Sequence, residues 1–433
     1  MAPHTCWVAL LAALQAPPEE PPAEPAEKPP GRQTLEERVK ALESEIQRLK
    51  LQAPEPEPSP ETEAEAPVEA PQPAAVQPNI FNPTLTVSGN GLYRYDDRPV
   101  GEAPGERVDR RFNVREVELD LRAAVDPYAD GVVILAVESE FPNAFQISAE
   151  EAYVQIKRLP LPVLEDPPLG LKLKVGRFRT EVGRVNRLHL HDLPQATRPL
   201  VTEEIYGEEG FVGLGASGQI FLPTPFDEDS AVELTAQVLT GGGSALTAEA
   251  PGHKPQVVAN LRWFRTFAET HNVDVSAIFQ WARTGADPTT KPDAFVYSAD
   301  VLYKWKPLRQ GEYRSFVLGG QVFLVDRDVV DPETMLADHV TPVGWFAFAQ
   351  PQLTRNLYLG VRYDDAQSIV DDTLERRAIS GWLSWYTSEF LRFRLGYEHR
   401  LSDLAEEDGR DSFFAEMTFV LGAHPTEPFW VNR

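Results

Sequence analysis

"REVELDLRAAV", residues 115–125, sets Val117, Leu119 and Leu121 against Glu116, Glu118, Asp120 and Arg122. Successive side chains of an extended strand point to opposite sides, so this stretch reads as a β-strand apolar on one face and charged on the other. TLTVSGNGLYRY (84–95) repeats the arrangement, with Leu85, Val87, Tyr93 and Tyr95 on one face and Thr84, Thr86, Ser88, Asn90 and Arg94 on the other. The period of two returns in EAYVQIK, GLKLKV, AVELTAQV, NVDVSAIFQW, AFVYSADVLYKW, RNLYLGVRY and FLRFRLGYEHR.

About sixteen such runs fall between residues 84 and 421, most of them about nine to thirteen residues long. Soluble strands average about five or six residues, whereas a tilted strand needs about nine to eleven to cross a bilayer. An even number of long strands with one apolar and one polar face predicts an all-β fold, a transmembrane antiparallel β-barrel of about sixteen strands with a wet lumen. Trp281, Tyr297, Tyr303, Trp305, Trp382, Trp385 and Tyr386, near strand ends, are the expected aromatic girdles.

The connections alternate in length. DPYAD, AETHN, PQLTRN and TSEF are short, whereas RPVGEAPGERVDR, GGGSALTAEAPGHKP, DRDVVDPETMLADHVT and DAQSIVDDTLER are long and polar. Short turns on one rim and long loops on the other is the asymmetry of outer-membrane barrels, the short turns facing the periplasm. The longest connection, RTEVGRVNRLHLHDLPQATRPLVTEEIYGEEG (179–210), follows the fifth strand and is the third long-rim loop. In sixteen-stranded porins the third loop typically folds into the lumen, and likeness to them implies that residues 180–209 form a constriction.

The rest of the chain is organised around that barrel, expected over 79–433. Residues 1–16 contain a short apolar run, Cys6 to Leu14, too short to span a bilayer and suited to a secretory signal. Segments 17–33 and 53–78 are Pro-, Glu- and Ala-rich linkers, and 34–52 is a short coiled coil with Leu35, Val39, Leu42, Ile46 and Leu49 on its seam. A net charge of −25 argues against nucleic acid as a partner, and the single cysteine, Cys6, leaves no cysteine catalysis or Cys-based metal site.

NIFNPTLTVSGNGLYRYD, FQISAEEAYVQIKRLPLP, LKLKVGRFRTEVGRVNRLHLHDLPQATRPL, LYLGVRYDD and FFAEMTFVLGAHPTEPF resemble bacterial outer-membrane proteins of the porin-like or zinc-regulated receptor kind. More distantly they are similar to phosphate-selective porins O and P. The resemblance covers roughly residues 79–429 and implies a sixteen-stranded, usually trimeric barrel. The chain departs from those relatives in having only 8 histidines and in ending on GAHPTEPFWVNR after its last strand.

Candidate solute-path residues follow from the loop. Arg177, Arg179, Arg184, Arg187 and Arg198, with Lys172 and Lys174 on the fifth strand, could line an anion track, because guanidinium groups stay charged and match carboxylate or phosphate. Glu203, Glu204, Glu208 and Glu209 lie in the same loop and could pair with them, leaving the arginines as braces between loop and wall. His189, His191 and Asp192 form a weak candidate metal set, although no metal or other cofactor is expected. Glu150 and Glu151 are expected on opposite faces of a strand, and no catalytic residues or enzyme activity are expected.

The reading is an outer-membrane porin, its expected partners being outer-membrane lipid, two further copies in a homotrimer, and small hydrophilic solutes or ions. Its N-terminal extension would lie in the periplasm, within reach of the cell wall. The alternatives are a zinc- or phosphate-specific uptake protein, a barrel lipase and a soluble sandwich.

Overall fold

The strands predicted from the period of two form and close into a ring. A computed structural model describes residues 83–432, apart from loop segments 99–109, 141–143, 159–160, 162–164, 225–226, 228, 249–253, 285–292, 308–312, 331–336, 405–407 and 424–427. The expected signal segment, coiled coil and linkers over 1–78 lie outside the described residues.

The strands run β1 (Thr84–Asp96), β2 (Arg110–Asp126), β3 (Ala129–Glu140), β4 (Ala144–Ile156), β5 (Lys172–Arg179), β6 (Val212–Leu222), β7 (Ser230–Leu239) and β8 (Gln256–Phe267). They continue through β9 (His271–Arg283), β10 (Asp293–Trp305), β11 (Phe316–Val330), β12 (Ala337–Val340), β13 (Val343–Thr354), β14 (Leu357–Gln367), β15 (Glu375–Ser388), β16 (Leu391–Ser402) and β17 (Arg410–Gly422). β12 and β13 both pair with β11 on either side of the Thr341–Pro342 break, so the two form one stave and the barrel has sixteen. Every pairing is antiparallel between neighbours, and β1 closes on β17 from Thr86↔Gly422 to Asp96↔Ser412.

Parity decides which side chains enter the lumen. On β16, Arg392, Arg394, Glu398 and Arg400 are buried, while Phe393, Leu395 and Leu401 are exposed. The same parity corrects the expected girdles: Trp385 is exposed, but Trp382 and Tyr386 fall on the inward register of β15 and are buried. Two β-bulges break parity near the site. One on β2 leaves Arg115 without a partner on β1, and one on β4 leaves Glu150 without a partner on β3. The second overturns the expectation that Glu150 and Glu151 oppose each other, because the extra residue turns both carboxylates inward.

The lumen is not uniformly wet. Loop residues Val182, Leu193, Val201, Ile205 and Tyr206 pack with Val258, Val296, Phe323, Phe346 and Phe348 into one apolar cluster inside the barrel. Buried polar side chains are spread over the inward faces of most staves, and on β16, β17, β1 and β2 they include Arg394, Arg410, Glu398, Glu416, Asn90, Glu116 and Glu118. In lipid vesicles, Leu395→Arg on the outward face of β16 is expected to lower refolding stability by about 2–4 kcal/mol in a urea titration. An unchanged midpoint would show that this face does not meet hydrocarbon.

Candidate functional site

The chain between β5 and β6 has little regular structure, with two 3-10 turns (Val185–Arg187 and Leu190–Asp192) and one short α-helix, α1 (Leu200–Tyr206), yet most of its residues are buried. Buried backbone polar groups must be paired, and here side chains of the wall do much of the pairing. Arg115 Nη1 donates to the Ala196 carbonyl (2.7 Å), Arg392 Nη2 to that of His191 (2.6 Å) and Arg394 Nη2 to that of Leu193 (2.6 Å). Arg362 donates to the carbonyls of Thr197 (2.7 Å) and Arg198 (3.1 Å). Within the loop, Arg198 donates to the carbonyls of Val185, Leu188, Glu208 and Glu209 at 2.7–3.0 Å.

Wall carboxylates hold the loop's donors. Asp364 Oδ1 accepts from the Leu200 amide at the start of α1 (3.2 Å), and Asp300 Oδ2 accepts from the Arg184 amide (2.7 Å). Arg184 also pairs with Asp274 at 3.0 Å. On the far side, Gln237 of β7, Asn260 of β8 and Gln321 of β11 bond the backbone of Glu181 and Val182. A segment bonded to staves on so many sides of a closed barrel lies within its lumen. Close approach depends on glycine at one point: a Cβ at Gly344 of β13 would stand 2.9 Å from Val201 Cβ.

A second centre is acidic. Glu116 and Glu118 project from β2, Glu150 and Glu151 from the bulge of β4, and His189 and His191 reach them from the loop. His189 Nδ1 lies 2.6 Å from Glu150 Oε2 and 2.9 Å from Glu118 Oε1, and its Nε2 lies 3.1 Å from Glu151 Oε1. Arg179 Nη2 donates to Glu150 at 2.7 Å. Burial alone would favour the neutral imidazoles, but the charge of Glu118 beside them raises both His189 and His191 well above the ordinary histidine value. Burial, reinforced by the charge of Glu150, pushes the Glu209 carboxyl up to about 7.

Between the loop and the wall of β1, β2, β16 and β17 there remains a cavity of about 230 Å³. Arg94, Arg115, Arg198, Arg400 and Arg410 line it, opposed by Glu203 and Glu208. Residues 428–432 pack inside the barrel against the loop. Trp430 is fully buried, its Nε1 donating to the Asp192 carbonyl (2.9 Å) and its ring facing Arg392 and Arg394 at 5.6 and 5.8 Å. Asn432 bonds Gln352 and Tyr358, and Lys304 Nζ donates to the Phe429 carbonyl (2.7 Å).

Most of the residues expected to line an anion track are instead engaged as braces. Arg179, Arg184 and Arg198 are buried in the bonds above, and Arg187 pairs with Glu181 at 2.8 Å. Glu204 pairs with Arg376 of β15 and accepts from the Ile369 amide. Lys172 and Lys174 share the Phe178 face of β5, with Lys174 Nζ 4.6 Å from the Tyr153 ring centre. Arg177 departs from the expectation: alternation puts it beside exposed Val175 on the outward face, where its Nε donates to the Ala149 carbonyl. Glu203 does line the cavity. Sequence reasoning did not single out Arg115, Arg400 and Arg410; the inward parity of β16 and β17 was the available signal for the last two.

No family model matches the chain. A protein of Aquifex aeolicus described only as uncharacterised is 25% identical over 361 residues, covering 76% of this chain and 72% of that protein. Among solved structures, an anion-selective porin from Comamonas acidovorans superposes with a TM-score of 0.51 at 9% identity, covering 78% of this chain and 99% of the porin. OmpF of Salmonella typhi, solved with daunomycin, gives 0.50 at 11% identity over 79% and 99% of the two chains. The fold is that of the sixteen-stranded outer-membrane porins.

Arg198→Lys removes the fork that joins four carbonyls and is expected to loosen the loop by about 2 kcal/mol or more. In limited trypsinolysis of the folded barrel, cleavage after Arg184 and Arg187 should then accelerate by about 30-fold. Cleavage at the wild-type rate would mean that these bonds do not hold the loop.

Proposed function

We propose that the protein is an outer-membrane porin, a homotrimer through which small hydrophilic solutes or ions diffuse past a constriction made by residues 180–209. The cavity of about 230 Å³ between loop and wall carries this reading, because five arginines and two glutamates line it, with Arg94 paired to Asp96 and Arg400 to Glu398. Guanidinium groups remain charged at any working pH, so this lining favours small anions over cations despite the net charge of −25. The extension over 17–78 is assigned to the periplasm, because an even number of staves leaves both barrel ends on the same rim.

The tightness of the same cavity favours a second reading, a saturable site for phosphate or a small carboxylate in a substrate-specific uptake protein. Planar-bilayer recording separates the two. A simple porin gives conductance steps in groups of three, proportional to salt concentration, with a reversal potential of anion sign in a gradient. A specific channel gives chloride conductance that phosphate blocks at millimolar concentration. A cation-signed reversal potential would contradict the arginine-lined path, and Arg115→Glu should move the potential toward cations in either case.

Residues 428–432 supply a further expectation. Removing residues 424–433 withdraws Trp430 from beneath the Asp192 carbonyl and is expected to raise single-channel conductance severalfold. An unchanged conductance would place the segment outside the path.

A further inference from the structure

We propose that Glu116, Glu118 and His191 bind a divalent transition-metal ion, for which zinc is the best fit, and that the ion fastens the loop to β2. Glu116 and Glu118 stand two residues apart on the inward face of β2, so their carboxylates lie side by side. His191 brings its Nδ1 to 3.4 Å from Glu118 Oε1 and 3.7 Å from Glu116 Oε2. All three ligand atoms fall within 4.8 Å of one another.

Unpartnered groups at the centre point to a ligand. Glu116 is 1% exposed, yet neither of its oxygens accepts a hydrogen bond, and His191 Nδ1 is also without one. Buried carboxylates are strongly disfavoured without a compensating cation or donor. Ligand atoms about 2.0–2.2 Å from a tetrahedral zinc ion are about 3.3–3.6 Å apart, close to the separations around His191 Nδ1 and longer than hydrogen bonds. Glu150 Oε1, which also lacks a hydrogen bond, or water can take the fourth position.

His189 plays a different part. Its Nδ1 bonds Glu150 Oε2 at 2.6 Å and its Nε2 bonds Glu151 Oε1 at 3.1 Å, so it orients two carboxylates beside the triad. Asp192 does not belong to the set, because its carboxylate faces the opposite ring nitrogen of His191 at 3.7 Å. An imidazole with two or three carboxylates suits zinc better than calcium or magnesium, which take sets of oxygen ligands.

This inference goes beyond the transport reading, and its readout is metal content, independent of conduction. Full-length protein, folded in detergent and stripped with chelator, is titrated with zinc and with cobalt by calorimetry and visible absorption. The expected result is one tight equivalent per chain and a cobalt spectrum of low coordination number that zinc abolishes. Glu116→Gln and His191→Gln should each weaken binding by about 100-fold or more, whereas His399→Gln on β16, paired with Asp411 away from the triad, should leave it unchanged. Heat-modifiable gel mobility verifies that each variant is folded. X-ray absorption of the zinc-loaded wild type gives a test without variants, with one imidazole nitrogen and carboxylate oxygens expected at about 2.0–2.2 Å. No uptake of either metal by the wild type, undiminished binding by both folded variants, or an all-oxygen shell would each overturn the proposal.

Discussion

A long irregular loop can lie inside a barrel only if its backbone carbonyls find donors there. In this protein arginine supplies them, from the wall through Arg115, Arg362, Arg392 and Arg394 and from within through Arg198. Each charge-assisted bond contributes about 1.5–3 kcal/mol, while taking a guanidinium out of water costs several kcal/mol. The two terms nearly offset, so these bonds fix where the loop lies more than they add to stability. The planar fork matters, because one guanidinium can reach several carbonyls at once and an ammonium group cannot match that geometry.

The remaining features follow from placing that loop. Its apolar side chains need a partner, and the inward faces of the staves around β8 to β13 supply Val258, Val296, Phe323, Phe346 and Phe348. Its polar groups meet the wall on several sides, Arg184 at Asp274 of β9 and Glu204 at Arg376 of β15, while on the side of β16 and β17 Glu416 holds Arg392 and Arg394 at 2.8 and 3.0 Å and keeps both aimed at loop carbonyls. The polar cavity is displaced to that side of the lumen. The bulge on β4 brings Glu150 into the acid and imidazole cluster, and the unpaired Arg115 of β2 reaches the loop beside it.

The barrel was legible because strand parity is a local property. REVELDLRAAV shows its two faces without reference to any neighbour, and the ring of sixteen staves follows from repeating that reading. The loop was legible through its length and its arginines, and the possibility that these arginines act as braces was visible in the neighbouring glutamates. The bonding partners were not legible. Arg394 meets the Leu193 carbonyl 201 residues away, and Trp430 meets that of Asp192 238 residues away, contacts that exist only once the barrel closes. Bulges hide for a related reason, since one extra residue shifts the parity of Glu150 without leaving a mark in the alternation around it. Trp382 and Tyr386 were misassigned to a girdle because position near a strand end was read without the parity that turns them inward.

Disulfide trapping across the loop and wall tests directly whether the loop occupies the lumen. Cys6 is the only natural cysteine, so after its replacement a Val201→Cys, Gly344→Cys pair reports on α1 and β13 alone. On the native backbone a Cβ at position 344 stands 2.9 Å from that of residue 201, near enough for a bond after a small shift. Rapid, near-complete cross-linking in the folded barrel, read by mass spectrometry of the proteolysed protein, is the predicted result. Free thiols in a folded barrel, both open to alkylation, would contradict the account and place the loop outside the lumen.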